Sequence, residues 1–101
     1  MTKEKITTLN SRSYKYLSTN RRFIFNSHKE YEQEIIITLV NNGGSISFEI
    51  INAEAKETTK LDNPETGTYT FPLKKGMKTQ ILIKSKAAIG SYKVQKKTVI
   101  E

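Results

Sequence analysis

Apolar side chains recur at every second position in several short segments of the chain, and no segment shows a sustained helical period. The clearest example is "YEQEIIITLVNNGGSISFEII", residues 31–51. Successive side chains of a β-strand point to opposite faces, so a period of two is typical of strands that bury one face. The pattern therefore predicts an all-β fold and argues against a helical one.

The chain has 101 residues, of which 36% are hydrophobic, and this length suits one domain, residues 1–101. The longest apolar run, "IIITLV", is far shorter than the ~20 residues that a membrane-spanning helix needs. Residues 1–12 are mostly polar. We expect them to form either a short edge strand or a frayed end.

Turn signals between the apolar segments predict hairpins. Asn42-Gly43 is a preferred central pair of a two-residue type I′ turn, because both positions need positive φ. Such a turn sets residue 41 opposite residue 44 and fixes the register of the flanking strands. The expected pairs are all apolar and share one face: Leu39 with Ile46, Ile37 with Phe48, and Ile35 with Ile50.

Two further hairpins follow from similar signals. A three-residue loop at residues 74–76, with Gly76 in the left-handed conformation, predicts that Leu73 faces Met77, Phe71 faces Thr79 and Tyr69 faces Ile81. A loop at residues 18–20 predicts pairs of Tyr16 with Phe23 and Tyr14 with Phe25. Pro72 has no N–H for a ladder, which favours an edge position for its strand.

With a last strand at residues 91–99, the pattern gives about seven short strands. Their number and spacing predict a single antiparallel β-sandwich, or else a small barrel.

Catalytic and metal-binding chemistry is poorly represented. The chain has no cysteine, and His28 is its only histidine. A Ser-His-Asp site would need His28 beside Asp62, the only aspartate, but Asp62 belongs to a turn signal. Glu30, Glu32 and Glu34 alternate along one strand, which indicates a solvated face more than a calcium site. We predict a protein that is not an enzyme and has no cofactor.

The net charge of +7 is concentrated in residues 71–101. Lysines there alternate with the apolar positions and so share an outward face, and one register sets Lys84 directly opposite Lys93. This face is either simply solvated or a surface for an anionic partner, which would be a protein, a cell-wall polymer or nucleic acid. The candidate residues are Lys78, Lys84, Lys86, Lys93 and Lys97.

An alternative nucleic-acid surface lies near the N-terminus. The segment "SYKYLSTNRRFIF" interleaves aromatic and basic residues, as small oligonucleotide-binding barrels do on their strands. The same aromatic residues also suit a hydrophobic core, which is the reading we favour. The candidate residues are Tyr14, Lys15, Tyr16, Arg21 and Arg22.

The segments "GGSISFEIIN" and "GTYTFPLKKGMKTQILIKSKAAIGSYKV" resemble small jelly-roll-like β-sandwich domains of Gram-positive cell-surface lipoproteins. More remotely they resemble bacterial pre-peptidase C-terminal and GOLD-type domains. The resemblance covers roughly residues 23–95. Two features depart from it, since the chain has no lipobox cysteine and no tryptophan in its closing strand.

The resemblance implies a non-enzymatic accessory or interaction module, at a Gram-positive surface or encoded by a mobile element. It transfers no ligand-binding residues, because the shared positions are turns and core. An extracellular location is expected if a leader has been removed, and a cytoplasmic one otherwise. The alternative function is a small-barrel protein that binds single-stranded nucleic acid.

Overall fold

The computed structural model describes residues 3–52 and 54–100, which form five β-strands and no helix. The strands are β1 (Lys3–Asn26), β2 (Glu32–Asn52), β3 (Glu57–Asp62), β4 (Gly67–Leu73) and β5 (Lys78–Ile100). The predicted all-β, antiparallel fold is confirmed. The prediction of about seven short strands is wrong, because three of the five strands are more than twenty residues long.

All five strands belong to one antiparallel sheet. β5 lies between β1 and β2 and pairs with both along nearly its whole length. The other edge of β2 is shared, since β4 pairs with Gln33–Leu39 and β3 pairs with Ser47–Asn52. In the described residues β1, β3 and β4 each have one neighbour, so the sheet is open. The edge position expected for the strand with Pro72 is confirmed.

The long strands are folded over in the middle. An extended strand of the 24 residues of β1 would span about 80 Å, whereas the largest dimension of the protein is 42 Å. The rings of Phe48 and Tyr92 have centroids 6.0 Å apart, although Phe48 pairs with Ile83, nine positions before Tyr92. Only a sheet that turns back on itself brings these rings together.

The fold line crosses each long strand at residues with positive φ: Tyr16 in β1, Gly44 in β2, and Ala87 and Gly90 in β5. Irregularities of the ladder register fall at the same level. The line divides the sheet into two layers. The first layer contains β4 and residues 3–15, 32–41 and 89–100. The second layer contains β3 and residues 17–26, 43–52 and 78–88.

The three predicted hairpins are wrong. Leu39 pairs with Tyr92 and Ile46 with Ser85, because the chain continues through Asn42-Gly43 as one bent strand. β1 likewise runs through residues 18–20 without a hairpin. Gly76 does adopt the predicted left-handed conformation (φ 70°), but its loop connects β4 in the first layer to β5 in the second.

The faces assigned to the apolar residues of β2 and β5 are confirmed, whereas Tyr16, which was expected in the core, is exposed. The core lies between the two layers and takes alternate residues from both halves of β2 and β5. Its members are Ile35, Ile37, Leu39, Ile46, Phe48, Ile50, Ile81, Ile83, Ala88, Tyr92 and Val94. Apolar residues of β1, β3 and β4 are half-buried against this cluster and flank its open sides.

The connection from β3 to β4 crosses between the layers beside the fold line. The Asn41 side-chain amide donates hydrogen bonds to Asn63 Oδ1 (3.0 Å) and to the Pro64 carbonyl (2.8 Å). The Asn41 backbone N–H donates to Thr66 Oγ1 at 2.9 Å. These bonds hold the predicted turn at Asp62-Asn63-Pro64 against the bend of β2.

Candidate functional site

The five candidate lysines of the basic segment do not share one face. Lys78, Lys84 and Lys86 lie in the second layer, whereas Lys93 and Lys97 lie beyond the bend in the first layer. Because the layers pack face to face, their outward faces point in opposite directions. Lys84 pairs with Asn20 and Ser47, so the expected pairing with Lys93 is wrong.

Lys97 is held by two carboxylates. Its Nζ lies 3.2 Å from an oxygen of Glu34 and 3.2 Å from an oxygen of Glu4. Hydrogen bonds to Glu34 and then to Glu4 raise the pKa of Lys97 above its ordinary value. Lys97 therefore ties β1 to β2 across β5, and its charge is already paired within the protein.

The candidate nucleic-acid residues are also dispersed. Tyr14 is half-buried, and its ring centroid lies 5.8 Å from that of Tyr92 in the core. Tyr16 lies on the fold line and is 65% exposed, with Lys15 Nζ 5.7 Å from its ring centroid. Arg21 is in the other layer. The structure does not form a common stacking platform from these aromatic residues.

Arg22 and Lys84 come together on the outward face of the second layer. With Asn20, Arg21 and Leu82 they line a shallow groove of about 370 Å³. The groove combines Arg21 and Arg22 from one of the two sets that the sequence suggested with Lys84 from the other.

The remaining polar residues have local roles. His28 Nδ1 accepts hydrogen bonds from the backbone N–H groups of Glu30 (3.0 Å) and Tyr31 (3.2 Å), which closes the turn before β2. Glu30 lies in this turn, so the expected stripe with Glu32 and Glu34 is incomplete. Within residues 3–52 and 54–100, no three histidine, aspartate or glutamate side chains form a group suited to a metal ion.

Two tyrosine hydroxyls are buried beside the open flank of the core. The hydroxyls of Tyr14 and Tyr92 and the Oδ1 atom of Asn10 have no hydrogen-bond partner among the described residues. Burial, and secondarily the charge of Tyr92, raises the pKa of Tyr14. Removal of such a hydroxyl costs no hydrogen bond and relieves a desolvation penalty.

We expect Tyr14→Phe to make the protein more resistant to alkali. Above pH ~10 the phenol of Tyr14 ionises in the unfolded chain but stays protonated in the folded protein. The unfolded state then binds fewer protons, so the free energy of unfolding falls as the pH rises. Urea unfolding of wild type and Tyr14→Phe on both sides of this pH should show a shallower decline in the variant. Equal slopes would contradict the assignment of this hydroxyl to a buried site.

The most unusual surface is the free edge of β1. Every residue of this strand is exposed or half-buried, and its only ladder partner in the described chain is β5. Four large hydrophobic side chains are exposed in the described residues, and three of them, Ile6 (53%), Tyr16 and Ile24 (55%), lie in β1. The fourth is Val40 in β2.

Ile6 and Ile24 were not predicted to be exposed surface residues. A usable signal was present, because apolar residues of β1 occupy both faces of the strand: Phe23 and Phe25 lie on one face and Ile24 on the other. A strand that buries only one face leaves the second set exposed.

The described residues contain no helix long and apolar enough to cross a membrane. No protein-family model matches the chain, and no curated protein is similar to it in sequence.

Among solved structures, the chain is similar in fold to one described as "Bacillus endospore appendages form a novel family of disulfide-linked pili". The TM-score is 0.52 at 9% identity, and the match covers 97% of this chain and 86% of the other. This likeness supports the all-β fold over nearly the whole chain.

Proposed function

We propose that this protein is a non-enzymatic structural module that contacts other protein chains within a larger assembly. The free edge of β1 carries the proposal. Backbone N–H and C=O groups along an unpaired edge are a template for another strand, and exposed apolar side chains beside them add favourable burial on contact. Soluble monomers usually blunt such an edge with charges, bulges or short strands. β1 does carry six basic residues and register irregularities, but it is long and also exposes Ile6, Tyr16 and Ile24.

The setting that we propose is the surface of a Gram-positive bacterium, or a product of its mobile elements. The jelly-roll-like features of the sequence support it, and so does a fold shared with a protein of Bacillus pili. The 101 residues contain no cysteine, so the contacts that they make are not disulfide-linked. An assembly of this kind depends on strand pairing and apolar burial.

The basic surface of the second layer is the part of the molecule suited to an anionic partner such as a cell-wall polymer. Lys78, Lys84 and Lys86 are exposed there, and Arg22 lies in the groove beside Lys84. Lys93 is exposed on the opposite face, and Lys97 is paired with glutamates. We therefore place any contact with a polyanion on the second layer.

The test is chemical crosslinking in cells that encode the protein, followed by denaturing electrophoresis and detection with an antibody. We expect most of the protein to move from the mass of one chain into crosslinked species of higher mass. Protein that remains at the mass of one chain in cells would contradict the proposal. Polyanion binding through several basic residues weakens steeply as salt rises, whereas strand pairing with apolar burial should weaken much less.

A further inference from the structure

We infer that copies of this chain add head to tail, with β1 of one copy pairing with β3 and β4 of the next. This inference rests on the proposed function and names the partner as a second copy. The two edges belong to the same folded sheet. Residues 3–15 of β1 and strand β4 are the outer strands of the first layer, and residues 17–26 of β1 and strand β3 are those of the second.

Strand direction favours this arrangement. Each layer contains four strands in antiparallel order, with β1 at one edge and β3 or β4 at the other. Because four is an even number, the two edge strands of a layer run in opposite directions. A copy added by translation therefore presents its β3 and β4 antiparallel to β1. Strand direction then continues to alternate across the junction in both layers.

The lengths of the edges match as well. The register of β1 is regular over residues 3–8, 10–15 and 19–26, with a shift at Leu9 and an irregular segment at the fold line. β4 has seven residues and β3 has six. Followed across β2 and β5, β4 lies level with residues 5–12 of β1, and β3 lies level with residues 20–24. Each short strand is therefore at the height of a stretch of β1 of similar length in the same layer.

Charge makes the head-to-tail contact more favourable than a symmetric one. Six basic residues and one glutamate lie in β1. The opposite edge has the opposite balance, with four acidic and two basic residues in 54–66 and no charged residue in β4. Pairing β1 with a second β1 would bring two basic edges together, which electrostatic complementarity disfavours.

A contact between two different edges leaves one of each free at the ends. Such heterologous contacts generate rings or open filaments rather than closed dimers. Addition of copies would also cover Ile6 and Ile24, the exposed apolar residues on the two halves of β1.

Sedimentation of the purified chain over its soluble concentration range tests the inference. Wild type should show a mass that rises with concentration above 11.6 kDa. The β1 variant Ile6→Lys/Ile24→Lys and the opposite-edge variant Thr58→Lys/Thr70→Lys should each associate at least ~10-fold more weakly, because lysines guard strand edges and repel a basic partner. All four positions are exposed, so the fold should persist, which circular dichroism checks.

Val40→Lys is the matched control. Val40 is exposed and apolar but lies in β2, which is flanked on both sides, so this change should leave association unaltered. Self-association of the β1 variant at the wild-type level, or a wild type that stays monomeric, would overturn the inference. Equal loss of association in Val40→Lys would show that exposed apolar residues drive association whether or not they lie at a sheet edge, which would also overturn the inference.

Mixing the two edge variants distinguishes head-to-tail from symmetric pairing. The opposite-edge variant keeps a working β1, and the β1 variant keeps working β3 and β4 edges. An equimolar mixture should therefore form one-to-one heterodimers that grow no further. Homodimers of the opposite-edge variant would instead show that β1 pairs with β1.

The two experiments, sedimentation of the purified chain and crosslinking in cells, distinguish a failure of this inference from a failure of the proposed function. A purified chain that is monomeric, combined with high-mass crosslinked species in cells, would mean that the partner is a different protein. A monomer in both experiments would contradict both proposals.

Discussion

Gly90→Ala is expected to destabilise the protein by roughly 3 kcal/mol or more. Gly90 has φ +141° at the bend of β5, a backbone conformation that residues other than glycine rarely adopt. A Cβ atom there would collide with the backbone carbonyl oxygen of Val40, which cannot move aside as a flexible side chain would. Chemical denaturation of the purified variant, or loss of soluble protein on expression, would measure the effect.

Gly67→Ala is the control for this change. At Gly67, the first residue of β4, a new Cβ would make only ordinary contacts, the nearest atoms being those of Tyr69 at 3.9 Å. We expect a change in the free energy of unfolding within about 1 kcal/mol, in the stabilising direction, because alanine lowers the entropy of the unfolded chain. Equal effects at the two positions would contradict the sharp bend of β5.

Phe48→Ala should cost about 3–5 kcal/mol, as truncation of a fully buried aromatic side chain does. Phe48 has no exposed surface and lies in the second layer, where its ring meets that of Tyr92 from the first layer edge to face. The substitution would leave a cavity between the layers where the two halves of the sheet meet. Denaturant unfolding would report it as a lower transition midpoint.

Phe23→Ala provides the comparison for Phe48→Ala. Phe23 belongs to β1 and is only half-buried against the same core. Partial burial predicts a smaller loss, about 1–2 kcal/mol. A loss at Phe23 as large as that at Phe48 would mean that the flank beside β1 is as tightly packed as the centre.

The amino-acid pattern predicts which side chains are buried better than which strands are neighbours. Ile35, Ile37 and Leu39 point into the core from odd positions, and Ile46 and Phe48 do so from even positions. A two-residue hairpin changes the parity of the buried positions in this way. A bent strand that keeps one face inward changes it in the same way, so the faces were predicted correctly and the hairpins were not.

The turn residues at 42–44 could not distinguish a hairpin from a bend within one strand. The Asn42-Gly43-Gly44 segment does contain a residue with positive φ, Gly44 at +67°, as a turn signal implies. Positive φ is needed equally by a hairpin and by a bend within a strand. The choice depends on β5, whose two halves pair with both sides of the bend. That partner is distant in sequence, and a local pattern carries no information about it.

The predicted pairing of Lys84 with Lys93 was wrong for the same reason. The sequence pattern indicated that they lie on two neighbouring strands, each with lysines at the positions between apolar residues, and so on a common face. The bend at Ala87 and Gly90 separates them onto opposite faces of the protein. Ile24 became notable only once the topology placed β1 at an edge.

The pairing of β1 with β5 also determines the order in which the protein can fold. Lys3 pairs with Ile100, and even the nearest partners, Asn26 and Lys78, are 52 positions apart. During synthesis β1 leaves the ribosome long before β5, the strand with which it pairs. Until β5 is made, β1 is exposed to solvent without its partner strand. Such distant pairing also makes refolding slow, on a scale of milliseconds to seconds for folds of this class. The mostly polar residues 3–12 limit the apolar surface that β1 exposes during that interval.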